Sequence, residues 1–197
     1  MATAVQIYLA SQSPRRRELL RQIGVRFRVL APDVNEMPML HEAPEAYVAR
    51  IARIKAEVTW ARICKQRMKP YPVLAADTSV ILGRRIFGKP ATNAAAQEML
   101  QALSGRTHQV LTSVVMVQER RVQLMSSVSK VKFRRLSDLE IARYIASGEP
   151  RDKAGGYAIQ GLAAAFIARL EGSYSGVMGL PLFETTRLLK TFGIQML

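Results

Sequence analysis

Apolar residues recur along the chain at two different spacings, and these spacings predict helices alternating with strands. Within residues 44–65 the apolar positions follow the helical period, so we expect an amphipathic helix whose apolar stripe faces a sheet. A second helix is predicted over residues 15–23, because Ser13 and Pro14 suit a helix cap and a first turn. An apolar run at residues 6–10 directly precedes it and is typical of a short buried strand.

The middle of the chain is rich in β-type segments. Residues 73–76 form a small apolar run, and residues 79–82 and 86–87 flank a glycine-containing turn, which predicts a hairpin. Asp77 and Thr78 are then expected to lie between strand segments.

The later part of the chain completes a mixed pattern. Residues 108–118 and 122–134 are longer β-type segments about a polar turn, which favours antiparallel pairing. The other predicted elements are a helix capped at Thr92, a helix with a capping box at residues 137–140, a strand near residues 165–170 and a helix over residues 181–191. Together they predict an α/β fold with a central mixed β-sheet flanked by helices.

Length and composition favour one domain. The chain has 197 residues, of which 49% are hydrophobic, and this is enough for one substantial core over residues 1–197. Its apolar runs are shorter than the ~18 residues that span a bilayer, and no secretion signal is recognised, so a cytoplasmic location without membrane contact is expected. The single cysteine, Cys64, excludes an internal disulfide, and we expect a buried thiol.

The charge balance predicts an anionic partner. The 29 Lys and Arg residues exceed the 15 Asp and Glu residues and give a net charge of +14. A field of this sign attracts polyanions, so phosphates are the expected ligands. Charge alone leaves open whether the phosphates belong to a nucleotide in a pocket or to DNA or RNA in a groove.

The most informative polar segment is Ser11-Gln12-Ser13-Pro14-Arg15-Arg16-Arg17. It places hydroxyl and guanidinium groups at a predicted strand-to-helix junction, where free N–H groups attract anions. The alternative is that the arginines are solvated, although cations at a helix start oppose the macrodipole by ~0.3 to 1 kcal/mol each.

Carboxylates follow two of the predicted strands. Asp77 comes directly after an apolar run, and Asp33 and Glu36 follow a short strand nearer the start of the chain. Such groups can hold a metal or accept a proton from water, although either of the last two could be loop surface. With Lys or Arg around one triphosphate, they suit a metal-assisted phosphoryl reaction.

Several other motifs have both a functional and a purely structural interpretation. Residues 83–89 match the start of a phosphate-binding P-loop, but Pro90 stands where a magnesium-binding hydroxyl is needed, so we reject that motif. Lys89 can still reach a phosphate. His108 lacks a companion at metal-ligand spacing. The amide of Gln160 can read a nucleobase edge or, equally, satisfy backbone groups.

Taken in order, these segments resemble the Maf family of nucleotide pyrophosphatases, from Tyr8 to about Leu189. The matching segments are Leu9-Ala10-Ser11-Gln12-Ser13-Pro14-Arg15-Arg16, Ala76-Asp77-Thr78, Gly88-Lys89-Pro90, Leu103-Ser104-Gly105-Arg106-Thr107-His108, Gly148-Glu149-Pro150-Arg151-Asp152-Lys153-Ala154-Gly155, Ile159-Gln160-Gly161, Glu171-Gly172-Ser173-Tyr174 and Gly179-Leu180-Pro181-Leu182. The resemblance implies an elongated fold, similar to that of inosine triphosphatases, with a nucleotide-sized cleft and often a homodimer.

The resemblance also implies the chemistry. Asp77 would accept the proton of the attacking water, and Glu36 would help it at a divalent metal, Mg²⁺ or Mn²⁺. A nucleoside triphosphate would be cut between its α and β phosphates. The residues that would hold the triphosphate are Ser11, Arg15, Arg16, Lys55 and Lys89.

Residues 152–161 resemble the branch of the family that acts on dTTP and UTP, rather than the branch that acts on 7-methyl-GTP. Arg15, Thr78 and Gln160 match the positions that set base preference there. Ala158 departs from the glycine that is common in this branch.

Two other functions remain open from the sequence. A nucleic-acid-binding or septum-regulating protein would use the basic residues on or beside the predicted hairpin, although these could equally form a solvated edge. A hydrolase of another fold that cuts at the γ phosphate would release orthophosphate. The residues in the candidate basic face are Arg120, Arg121, Lys130, Lys132, Arg134 and Arg135.

Overall fold

A computed structural model describes residues 5–196. Its strands are β1 Ile7–Leu9, β2 Phe27–Val29, β3 Val73–Leu82, β4 Arg85–Phe87, β5 Thr107–Gln118, β6 Arg121–Phe133 and β7 Ile167–Glu171. Its helices are α1 Pro14–Gln22, α2 Pro44–Lys65, α3 Asn93–Leu103, α4 Asp138–Ala146, α5 Tyr174–Met178 and α6 Leu182–Thr191, with 3₁₀ turns at Ala154–Gly156 and Leu162–Phe166.

All seven strands join one mixed sheet. The order is β2-β1-β3-β5-β6-β7, and β4 pairs with the far end of β3. β1 runs parallel to both of its neighbours, whereas the other pairs are antiparallel. The predicted mixed sheet and the antiparallel hairpin of β5 and β6 are therefore confirmed.

Helices cover both faces of the sheet. On one face, the apolar stripe of α2 packs on β3 and β5, with Ala52 and Ala56 against Ala75 and Val115. On the other face, α1 and α6 bury Leu20 and other leucines against the same two strands. A separate core lies farther along β3 and β5, where α3 and α4 pack with the aromatic residues near β7.

One stretch of β3 has a strand on only one side. β1 pairs with Val73 and Leu74, and β4 pairs with Val80 to Leu82. Over residues 75–79, among the described strands, only β5 pairs with β3. The chain leaves β1 here and enters α1, so this gap in the sheet is lined by the strand-to-helix junction.

The structure corrects the expected position of Asp77 and Thr78. They lie inside the single ten-residue strand β3, not between two strand segments. β5 pairs with β3 continuously from Val73 to Ile81, and this pairing satisfies the backbone across the polar residues.

Two smaller expectations also differ. Cys64 is exposed, not buried, because it follows Ile63, the last buried position on the apolar stripe of α2. The short helix α5 was not predicted: Gly176 lies in its five residues and masks the helical pattern. Within residues 5–196, no helix combines the length and the apolar character needed to cross a bilayer.

Candidate active site

The site is organised by β3 at the gap in the sheet. Successive side chains of a strand point to opposite faces, so Asp77 and Thr78 diverge. Asp77 faces α2, where it meets Lys55, and Thr78 faces the side of α1 and α5, where it meets Arg16. A ligand along this open edge can contact both side chains.

Lys55 binds two carboxylates on the α2 side. Its Nζ donates to Oδ1 of Asp77 at 2.7 Å and lies 2.8 Å from Oε1 of Glu36. Asp77 is 6% exposed, whereas 43% of the Glu36 side chain is exposed. Two carboxylates thus converge on one cation, the first from the strand and the second from the loop before α2.

The pKa values of the two carboxylates are shifted in opposite directions. Burial raises the pKa of Asp77 above its ordinary value, although Lys55 and Arg16 oppose the rise. Burial also acts to raise the pKa of Glu36, but the Lys55 hydrogen bond and the charges of Lys55 and Lys89 outweigh it and lower the pKa. Such a split suits Asp77 to accept a proton and Glu36 to stay ionised.

Arg16 is held on the other face of β3. Its Nε donates to the carbonyl of Gly179 at 2.7 Å, Nη1 donates to Oγ of Ser11 at 3.2 Å, and Nη2 donates to Oγ1 of Thr78 at 3.1 Å. Burial lowers the pKa of this guanidinium, and Asp77 and Glu36 partly offset the shift. The guanidinium is therefore fixed beside the gap.

The start of α1 is open to an anion. Ser13 occupies the N-cap position without a side-chain cap, and its N–H donates to Oγ of Ser11 at 3.2 Å. Because Ser11 accepts this bond and one from Arg16, its own hydrogen is available to a ligand. The first-turn amides and this hydroxyl suit a phosphate. Nη2 of Arg17 donates to the carbonyl of Gln12 at 2.7 Å.

Lys89, in the loop after β4, lies near enough to Glu36 for its charge to act on that carboxylate. The neighbouring Gly88 carbonyl accepts from the Gly155 N–H at 3.0 Å. Gly155 has a positive φ of 68°, and a Cβ there would lie 2.8 Å from a methyl of Val80. Only glycine lets this loop dock against β3. Residues 85–87 form β4, so the rejection of a P-loop is confirmed.

Gln160 lies on an exposed turn that Glu149 anchors. Oε2 of Glu149 accepts from the Leu162 N–H at 2.8 Å, and Oε1 accepts from the Tyr144 hydroxyl at 2.9 Å. Gly161 lies directly against this carboxylate, and the Cβ of any other residue would clash with it. Gln160 itself is exposed, so its amide is accessible to a ligand.

Arg15 lies close enough to Glu149 for electrostatic attraction. Burial lowers the pKa of Arg15, and the Glu149 charge partly restores it. The structure thus brings Arg15 towards the Gln160 turn, while Arg16 and Thr78 form a second group and Asp77, Lys55, Glu36 and Lys89 a third. Asp33 is exposed and joins none of them in the described contacts.

The carboxylate pair fits a hard divalent cation. Oxygen ligands suit Mg²⁺, which usually takes one or two carboxylates and completes its shell with water and phosphate oxygens. Neither the second oxygen of Asp77 nor that of Glu36 accepts a hydrogen bond from the described residues. Within residues 5–196, no cluster of three or more His, Cys, Asp or Glu suits a metal, so a cation at this pair would take its other ligands from water and the substrate.

Sequence reasoning missed three polar residues that support the site. Glu149 was noted only as part of a motif; its position beside a glycine and a proline was the available signal. Tyr47 donates to the Glu36 carbonyl at 2.8 Å, and burial raises its pKa to about 12. Thr112 contacts Thr78 at 2.9 Å, but a threonine inside a long apolar strand gives no signal in sequence.

His108 has a structural environment, as expected. It is 2% exposed, and its Nε2 lies 2.8 Å from the Tyr157 hydroxyl in an aromatic cluster. Burial lowers its pKa to about 4, so it is neutral at physiological pH.

The basic residues near the hairpin do not form one face. Arg121 and Lys132 lie near opposite ends of β6, about 35 Å apart at the usual rise per residue. The Arg121 guanidinium stacks 4.5 Å from the ring centre of Phe192. Arg134 bonds Glu140 at 2.7 Å. The charge is therefore dispersed along the strand.

Comparison with known proteins gives a consistent result. Residues 6–192 match a family model described as "Maf-like protein". Proteins named dTTP/UTP pyrophosphatase are 53% identical in Nitrosomonas europaea (95% of each chain), 51% identical in Nitrosospira multiformis (96% of each chain) and 53% identical in Ralstonia nicotianae (93% of this chain, 92% of that one). Among solved structures, the Staphylococcus aureus Ham1 protein aligns with a TM-score of 0.45 and 16% identity, over 64% of this chain and 71% of that chain.

Proposed function

Because the chain belongs to the Maf family, we propose that it is a nucleoside triphosphate pyrophosphatase that hydrolyses dTTP and UTP to the monophosphate and pyrophosphate. The relatives that carry this name are about half identical over nearly the whole chain. The observation that supports the chemistry is the pair of carboxylates, Asp77 and Glu36, that meet Lys55 at the gap in the sheet.

Asp77 is the proton acceptor in this proposal. The raised pKa of Asp77 makes this carboxylate a stronger base than an ordinary aspartate. The hydrogen bond from Lys55 fixes the orientation of the carboxylate. A water oxygen forms a bond to the α phosphorus while its proton passes to Asp77. The bond from the α phosphorus to the oxygen that bridges to the β phosphate breaks, and pyrophosphate leaves with the bonding electrons.

The cations hold the triphosphate and neutralise the leaving group. Arg16 lies beside the gap from α1, Ser11 from the segment between β1 and α1, and Lys89 acts on Glu36 from the loop after β4. Lys55 orients Asp77 and Glu36 and can also contact a phosphate oxygen, because ammonium has three donors. Arg15 extends the same positive field towards the Gln160 turn.

Asp77 and Glu36 would hold a divalent cation, Mg²⁺ or Mn²⁺. When bound, it supplies charge that stabilises the phosphate oxygens and the leaving pyrophosphate. Lys55 contacts Oδ1 of Asp77 and Oε1 of Glu36, which leaves the second oxygen of each carboxylate for the cation.

The choice of base is assigned to Arg15, Thr78 and Gln160. The amide of Gln160 is exposed and can both donate to and accept from a base edge. Ala158 is 4% exposed, so its methyl packs inside the loop and does not narrow the surface that a base would meet.

Product analysis tests the proposal. Purified protein and its Asp77→Asn variant are incubated with dTTP, UTP, GTP, ATP and 7-methyl-GTP plus Mg²⁺ or Mn²⁺, and the products are separated by ion exchange. We expect monophosphate and pyrophosphate from dTTP and UTP, with turnover in the variant reduced at least about 10²-fold. Orthophosphate as the product, or turnover of 7-methyl-GTP alone, contradicts the proposal.

A further inference from the structure

Thr78 belongs to a chain of hydrogen bonds that runs from Arg16 over the neighbouring strands β3 and β5 to α5. Nη2 of Arg16 donates to Oγ1 of Thr78 at 3.1 Å, and Oγ1 of Thr78 lies 2.9 Å from Oγ1 of Thr112. Oγ1 of Thr112 donates to the carbonyl of Gly176 at 2.8 Å. The two threonines face each other on neighbouring strands, and Thr112 is fully buried.

The two ends of this chain fix the direction of every bond in it. A carbonyl only accepts, so the single hydrogen of Thr112 goes to Gly176. Thr112 is then the acceptor from Thr78, whose own hydrogen is used up in this bond. Arg16 only donates, and it occupies one of the two lone pairs of Thr78.

Thr78 consequently has one lone pair and no hydrogen to offer a ligand. Its side chain is half-buried at the gap. Gly179 keeps the space beside its oxygen open: a Cβ at Gly179 would lie 3.4 Å from Oγ1 of Thr78 and 3.5 Å from Nε of Arg16. A ligand atom can reach the oxygen, and it must bring an N–H or O–H of its own.

We propose that Thr112 is a positioning residue for base selection, because it holds Thr78 as a hydrogen-bond acceptor only. This inference rests on the proposed function, in which Thr78 contacts the base. Uracil and thymine carry a hydrogen on ring atom N3, whereas N3 of cytosine has none. An acceptor at Thr78 favours the first two bases and leaves cytosine N3 facing a lone pair.

Base selection thus depends on Thr112, which does not touch the base but holds Thr78, the residue that does. Thr112 lies on β5, and Asp77 points to the opposite face of the sheet. Loss of the Thr112 hydroxyl frees the Thr78 hydroxyl to rotate and to donate to cytosine N3. The distinction between UTP and CTP should weaken while the carboxylate pair stays in place.

Calorimetric binding in the presence of a chelator tests this without catalysis. The dissociation constants of UTP and CTP are measured for the wild type, Thr112→Val, which keeps the shape but not the hydroxyl, and Thr112→Ser, which keeps the hydroxyl. We expect the CTP-to-UTP ratio of dissociation constants to fall about tenfold in Thr112→Val and to be retained in Thr112→Ser.

A matched control is Ser113→Ala on the same strand. Ser113 is also fully buried and hydrogen-bonded, to Ser126 at 2.8 Å, but its hydroxyl lies on the other face of β5. The CTP-to-UTP ratio of dissociation constants for Ser113→Ala should equal that of the wild type. If Thr112→Val does not fold by circular dichroism, Thr112→Ala replaces it, since alanine also lacks the acceptor.

The outcomes separate the two proposals. An unchanged ratio in the folded valine or alanine variant overturns the inference, and so does a wild type that binds CTP as tightly as UTP. Metal-dependent turnover of dTTP and UTP by the wild type is measured separately, so its absence contradicts the proposed function while the binding ratio still decides the role of Thr112.

Discussion

At the scale of single residues, the site depends on groups whose protonation is set by burial. Asp77 and Lys55 lie 2.7 Å apart, yet burial dominates and raises the pKa of the carboxyl. The neighbouring Glu36 is more exposed and is shifted in the opposite direction. One ammonium group thus lies between two unlike carboxylates, of which Asp77 has a raised pKa and Glu36 a lowered pKa.

The pKa of Asp77 can be measured directly. In the free protein, a ¹³C NMR titration of the aspartate carboxyl carbons should show Asp77 with a midpoint above the ordinary value of 3.8. The Asp77→Asn variant identifies its signal. Since the base must be ionised to act, kcat should fall as the pH drops through the pKa that Asp77 has in the complex. A midpoint at or below 3.8 would contradict the assignment.

His108 makes stability depend on pH. Its folded pKa of about 4 is lower than the ordinary 6.5, so the unfolded chain binds the additional proton between these values. Above pH 6.5 the protonation of His108 therefore does not lower the free energy of unfolding. As the pH drops from 6.5 towards 4, the free energy of unfolding falls by up to about 3 kcal/mol. Urea unfolding of the wild type and of His108→Phe measures this difference in slope.

The exposed His41 provides the control for that experiment. His108→Phe should flatten the pH dependence, and His41→Gln shows the effect of removing a histidine from an exposed position. Equal slopes for the wild type and His108→Phe would show that His108 is not buried in its neutral form.

At the scale of elements, loops are placed by glycines at which a side chain does not fit. Gly155 and Gly83 both have positive φ, but only Gly155 approaches its neighbour Val80. We expect Gly83→Ala to lower the free energy of unfolding by about 1 kcal/mol, because only the backbone conformation is strained. Gly155→Ala should cost about 1–3 kcal/mol more, through overpacking against Val80. Denaturant unfolding of the two variants gives the comparison.

The Gln160 turn should depend on Glu149 in the same way. The two oxygens of Glu149 accept from the backbone N–H groups of residues 162 and 163, one each, so Glu149→Gln places a donor against one of these N–H groups. The KM for dTTP should rise about tenfold, with a smaller effect on kcat, because the turn is displaced and the catalytic pair is not. Steady-state kinetics measures both constants.

Glu98→Gln is the matched control, since Glu98 is exposed on α3. A normal KM in Glu149→Gln would contradict the anchoring role of Glu149.

The sequence predicted elements better than the contacts between them. The helix over residues 44–65 matches α2 because its apolar period is long and regular. The capping box of α4 is present, with Ser137 accepting from Glu140. By contrast, β3 was divided at Asp77, because a local pattern does not show that β5 pairs along its whole length.

The candidate site was predicted in the same uneven way. The cations and carboxylates could be named from their motifs, and the structure brings five of them together around the gap: Arg16, Lys55, Asp77, Glu36 and Lys89. The structural roles of Thr112 and Glu149 could not be predicted, since they depend on partners 34 and 13 residues away in sequence. The catalytic and specificity roles of the named residues stay predictions until they are measured.

At the scale of the whole molecule, the net charge is +14. We expect duplex DNA to bind no more tightly than about 1 μM at ~0.15 M salt and to leave dTTP turnover unchanged, because Arg121 lies at the opposite end of β6 from Lys132 and Arg134 is paired with Glu140. Fluorescence anisotropy and turnover assays measure these two effects. A variant without Lys130 and Lys132 should bind DNA equally weakly; nanomolar binding that these lysines support would restore the nucleic-acid function.

Other whole-molecule expectations stay predictions. The described strands form one sheet, but a single domain over residues 1–197, a cytoplasmic location and a homodimer require measurements on the protein in solution and in the cell.

β3 passes from one hydrophobic core to another, and its polar residues lie at the crossing. Ala75 and Ala76 pack with α2 and α1, whereas Val80 packs with the aromatic residues near β7. Asp77 lies with Lys55 and Glu36 on the α2 side, next to Ala75 and Ala76, whereas the Gln160 turn is attached to the second core through Tyr157 and Ala163. In evolutionary terms, the second core can accept substitutions that reshape this turn while the contacts of Lys55 with both carboxylates are inherited intact, so the two ends of the strand can change independently.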